Sequence, residues 1–142
     1  MPTRPCGACI APSPQECPYA YLLDPDLQDA RARWPFVAIW DNHEFSWLAW
    51  QSIVTFPGEE ATAAQRLKVL ANQAWFEFQP ARVTRLGQSL ARFNAPQVVD
   101  APVTEFDEHG LGLEPNNLAA IESLVAYRAL RWGRHIDLFI TD

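Results

Sequence analysis

No stretch of this 142-residue chain approaches the roughly 20 consecutive apolar residues that span a bilayer, and the N-terminus lacks the charged segment and apolar core of a signal peptide. The sequence therefore offers neither a membrane span nor an export signal. Basic residues are few and scattered: eleven Lys and Arg stand against seventeen Asp and Glu, for a net charge of -6. Nucleic acid and anionic membrane surfaces both require clustered cations, so neither is an expected partner. Internal repeats and low-complexity tracts are absent, and no cysteine follows Cys17.

What is present is ample material for one packed domain: 49% hydrophobic residues, including six Trp and eight Phe. The three cysteines, Cys6, Cys9 and Cys17, sit among Pro2, Pro5, Pro12, Pro14 and Pro18. Cys6 and Cys9 have the spacing of a zinc knuckle or redox pair, but no second such pair and no nearby His completes a ligand set. Two readings stay open for this segment. One is a small zinc-binding module; the other, favoured, is a Pro- and Cys-rich leader over residues 1–20, disordered, preceding a domain over residues 21–142.

Punctuation divides the rest. Asp24 and Pro25 have the residue types of a helix cap and first helical position, so a short helix is expected over residues 22–33, closed by Pro35. The apolar run at residues 36–40, β-branched at Val37 and Ile39, predicts a strand buried on both faces. Between residues 59 and 79 the apolar positions Leu67, Leu70, Ala71, Ala74 and Phe78 recur at helical steps. Residues 81–114 read as a long loop, and a short helix opens at Pro115. Further on, "LVAYRALRWGRHIDLFITD" fits either a continued helix or, preferred, a hairpin turning at Gly133.

Directly behind the expected strand stand Asp41, Asn42, His43 and Glu44. Chemistry gathers at the C-terminal ends of strands in covered sheets, because the strand fixes the backbone while the loop aims side chains into a crevice. Asn offers a carbonyl oxygen to a metal, His a ring nitrogen or a proton near neutral pH, and a carboxylate can hold that ring in one tautomer. These are components of a metal-assisted hydrolase. Other clusters read more plainly. Glu105, Asp107, Glu108 and His109 form an acidic run, read as a solvated loop over a cation site. Trp47 and Trp50 read as core over a substrate platform, and His135 beside Asp137 as a strand-edge residue.

"WDNHEFSW" resembles the "WDDHE" signature of the alkaline phosphatase D-like (PhoD-like) phosphatases, within the metallophosphoesterase superfamily, whose corresponding box reads Gly-Asn-His-Asp/Glu. "DPDLQDARARWPFVAIWDNHE" (residues 24–44) is similar to the family's approach to that box, "AWFEFQPAR" (74–82) to its "EY-x-P-x-R" segment, and "YRALRWGRHIDLFITD" (127–142) to its strand pair. The resemblance implies an α/β fold of layered α+β type, part of an αββα sandwich. It implies hydrolysis of phosphate mono- or diesters at a centre of two metal ions, calcium with iron or another transition metal, and a small phosphate-ester substrate. By the same match Asn42 is a metal ligand, His43 stabilises or protonates the leaving oxygen, Asp41 and Glu44 support them, and Arg82 either contacts phosphate or supports the fold.

Departures from the pattern accompany these matches. The superfamily's Asp-x-His and Gly-Asp-x-x-Asp/Tyr segments are not found before Trp40, and its later His-bearing segment is not found after the box. The resemblance thus implies a middle piece of a longer enzyme, carrying part of the two-metal site. An alternative is an inactive remnant that self-associates through an unpaired strand edge.

Overall fold

The computed structural model describes residues 22–41, 43, 45–46, 50–79, 81 and 92–141, so the cysteines and most of the expected leader lie outside the described residues. The first helix, α1, spans Pro25–Arg33. Asp24 caps it, its Oδ1 accepting from the Leu27 N–H at 2.9 Å, and Pro25 occupies the first turn where a missing N–H costs nothing. Arg33 pairs with Asp29 one turn back at 3.0 Å, and Trp34 leaves the helix in an extended conformation before Pro35.

Residues 35–40 form no strand and, among the described residues, join no ladder, which corrects the expected doubly buried strand. Phe36 and Val37 are exposed, and only Trp40 is fully buried. A buried strand needs a neighbour on each side for its backbone groups. Here the Arg128 guanidinium donates to the Ala38 carbonyl at 2.6 Å, a side chain standing where a neighbouring strand would.

Among the described residues, two antiparallel pairs make up the β structure. Strands β1 (Ile53–Val54) and β2 (Thr62–Ala63) form a minimal ladder. Strands β3 (Arg128–Trp132) and β4 (Ile136–Ile140) form the hairpin expected around Gly133, whose φ of 65° is one that glycine adopts without steric cost. Arg131 and Asp137 face each other in its register and form an ion pair. The mixture of helices and small antiparallel sheets agrees with the expected partial α/β class.

The central element is α2, Gln65–Phe78. Its buried face differs from the predicted stripe: Leu70 is exposed, while Gln65 and Asn72 are essentially inaccessible alongside Val69, Ala71, Ala74 and Trp75. The two amides are tolerated because both are paired. Gln65 forms a two-way bond with Ala101, donating to its carbonyl at 3.0 Å and accepting from its N–H at 2.9 Å. Asn72 donates to the Ala120 carbonyl at 3.1 Å and to Ser123 Oγ at 2.7 Å, joining α2 to the third helix, α3, Pro115–Glu122. No described helix is long and apolar enough to cross a membrane.

The described part of the long loop, residues 92–114, is irregular as expected, and side chains pin it at several points. Asp100 Oδ1 accepts from the Arg66 N–H at 2.9 Å, so the loop itself caps α2. Asp107 Oδ1 accepts from the N–H groups of His109 and Leu111, both at 2.8 Å, and closes a tight turn. Asn117, on α3, donates to Gln51 Oε1 at 2.7 Å and to the Gly112 carbonyl at 2.9 Å, and accepts from Ser52 Oγ at 2.6 Å. Gln51 also brackets the turn, donating to the Gly110 carbonyl at 2.7 Å and accepting from the Gly112 N–H at 2.9 Å. These bonds hold Gln51 at φ 56°, a conformation side-chain-bearing residues rarely adopt.

Two predictions follow from this network. A Cβ at position 112 would collide with Val103 Cγ1 and lie 2.7 Å from Asn117 Nδ2, so Gly112→Ala is expected to cost about 1–3 kcal/mol, read as a lower urea midpoint; an unchanged midpoint contradicts the packing described. Glu114 accepts from the backbone N–H groups of Thr104 and then Glu105, which lowers its carboxyl pKa below the ordinary glutamate value. A depressed carboxylate stabilises the fold above its unfolded pKa and loses that contribution as pH falls through its folded pKa. Glu114→Gln is therefore expected to flatten the acid limb of the stability–pH curve, measured by thermal melts across the acidic range.

Candidate phosphoester site

The polar box begins where the chain leaves the core and ends where it returns. Trp40 is 6% exposed and Phe45 3%, and Ser46 beyond it is fully buried, with its hydroxyl accepting from the Thr55 N–H at 3.4 Å. Between these anchors Asp41 and His43 are both exposed. The local rule is simple: large aromatic rings bury at either end, and the described polar residues between them, Asp41 and His43, stay in solvent.

The anchors meet α2. The Trp40 and Trp75 rings pack edge-to-face with centroids 6.4 Å apart, and the Trp40 and Phe45 rings are 6.5 Å apart. Lys68, one helical turn after Ala64, places its ammonium 4.1 Å from the Trp40 ring centroid and 4.8 Å from that of Phe45. Around them Val54, Ala64, Ala71 and Ala126 complete the cluster, with alanines allowing close approach of α2 to the chain before the box.

Of the predicted site residues, Asp41 and His43 are described, and each is exposed. Asn42, Glu44 and Arg82 lie outside the described residues, as does Trp47. Trp50 departs from its expected core role: it is half exposed and stacks on Phe106, with centroids 5.6 Å apart and planes at 21°. The acidic run is an exposed turn. Asp107 is occupied by the backbone, and Glu108 approaches His109 at 3.5 Å on the surface. His135 is exposed in the hairpin turn.

A family model described as PhoD-like phosphatase matches residues 19–142. The chain belongs to the PhoD-like phosphatase family. No curated protein and no solved structure matches it. PhoD-like phosphatases are metal-dependent hydrolases of phosphate esters, and the matched span contains the box, Lys68 and the hairpin. The described residues do not by themselves fit a metal centre: among them no three His, Cys, Asp or Glu side chains converge, and the described part of the box comprises one carboxylate and one imidazole.

Lys68 is the residue that sequence reading passed over. Its signal was faint: a cation on the same helical face as Ala71 and Trp75, where α2 otherwise carries small and aromatic residues. Because Phe45 is the box's far anchor, Phe45→Ala is expected to destabilise the chain by about 3–5 kcal/mol, measured by chemical denaturation; a loss under 1 kcal/mol, about what an exposed aromatic would give, contradicts its burial.

Proposed function

We propose that the chain serves metal-dependent hydrolysis of phosphate mono- or diesters, with the box Asp41 to Glu44 facing the phosphoryl group. The observation that carries this reading is the presentation of His43 at the surface between two buried anchors, within a chain of this family. In the step envisaged, water attacks phosphorus, the bond from phosphorus to the ester oxygen breaks, and the His43 imidazole ring delivers a proton to the departing oxygen, yielding an alcohol with phosphate from a monoester or with a phosphate monoester from a diester. Asn42 is proposed as a ligand to one of two ions, calcium with iron or another transition metal. Asp41 and Glu44 orient the imidazole and the loop, and Arg82 contacts phosphate or braces the fold.

The test is release of p-nitrophenol from its phosphate mono- and diesters in the presence of calcium and iron. Wild-type turnover lost on chelation, and reduced by about 10²–10⁴-fold in His43→Ala, is the expected result. Turnover unaffected by His43→Ala contradicts it.

A second reading concerns assembly. In the β3–β4 hairpin Tyr127, Trp132, Ile136 and Phe139 are exposed, and among the described residues no third strand joins its edges. Isolated two-stranded ribbons with apolar faces are marginal alone and prone to pair. Self-association through this edge predicts a concentration-dependent mass by light scattering that Phe139→Lys lowers; a constant monomer mass removes the idea.

A further inference from the structure

One ammonium touches both ends of the box. Lys68 Nζ lies over the rings of Trp40 and Phe45, the residues immediately before Asp41 and immediately after Glu44. Both rings are buried, and both distances fall well within the roughly 6 Å reach of a cation–π contact. A positive charge half-withdrawn from water among aromatic faces gains more from those faces than an exposed one does. The lysine stem leaves α2 on the face that also carries Ala71 and Trp75, and Trp75 in turn meets Trp40 edge-on. The loop's entry and exit are therefore tied to one rigid helix by one side chain and its neighbour.

We propose that Lys68 is a positioning residue for the phosphoester site: its ammonium clamps Trp40 and Phe45 together against α2 and thereby fixes the spread of the loop that carries His43. The proposal rests on the phosphatase reading of the box for its catalytic consequence, but the clamp itself is a property of the fold. A neutral side chain of similar length keeps the apolar stem and loses the attraction of a positive charge to the two rings. Arginine keeps the charge and stacks at least as well on aromatic faces. The two variants separate charge from packing.

The experiment is hydrogen exchange on the full chain, comparing wild type, Lys68→Met and Lys68→Arg, alongside kinetics on p-nitrophenyl phosphate. In Lys68→Met the amides of residues 40–46 are expected to exchange roughly two- to thirty-fold faster, the span set by the strength of such contacts, while α3 and the hairpin keep their wild-type rates. Lys68→Arg restores slow exchange. In the kinetics kcat falls in Lys68→Met with KM unchanged, and recovers in Lys68→Arg. Unaltered exchange over residues 40–46 in Lys68→Met overturns the clamp, as does equal acceleration throughout the chain, which would mark a general loss of stability. A raised KM at constant kcat also overturns it, assigning the lysine to substrate contact. Absence of any wild-type hydrolysis counts against the phosphatase reading alone, and exchange then decides the clamp.

Discussion

Three buried carboxamides hold together what a sheet would otherwise organise. Gln65, Asn72 and Asn117 are each at most 1% exposed, and each spends its side chain on the backbone or on a polar partner distant in sequence. Leaving one such group unpaired in the interior costs about 1–3 kcal/mol, so these positions tolerate only the geometry that satisfies them. That constraint orders the long segment after residue 92. It has no ladder of its own beyond a single bridge between Phe106 and Gly112, yet it runs past α2 and α3 with its backbone groups bonded at Val99, Ala101, Thr104 and Glu105. Gln65 and Gln51 achieve this in the same way, each bonding a donor and an acceptor of the loop as a neighbouring strand would.

The ordered loop matters to the site because it braces α2, and α2 holds the box. Asp100 caps the helix, Gln65 fixes its first turn, and Asn72 ties its middle to α3. With α2 fixed in this way, its contacts with Trp40 and Phe45 become a firm base for the exposed Asp41 and His43 between them. Specific chemistry on a loop depends on such support, because a loop aims a side chain only as well as its two ends are held.

The elements legible in the sequence were those announced by short-range chemistry. Asp24 with Pro25, Pro115, and Gly133 each act within a few residues of themselves, and each marks the feature expected of it. The family was legible for a related reason: ordered motif matches along the chain agree with the family found. What was not legible depended on distant partners. The run at residues 36–40 has the composition of a buried strand, but composition does not supply the neighbours a ladder needs. Gln65 and Asn72 fall outside the apolar stripe read from the sequence, and the partners that bury them lie 36 and 48 residues away. Trp50 finds Phe106 rather than the core, and Lys68 finds two rings that precede it by more than twenty residues.

The central claim is that buried aromatic anchors present His43 to a phosphoryl group. With only three histidines in the chain, the imidazole proton resonances can be followed individually while inorganic phosphate is added to the calcium-loaded protein. The account predicts a saturable shift of the His43 resonance, with His109 and His135 unmoved. Equal small drifts in all three, or a response confined to His109 or His135, would contradict it.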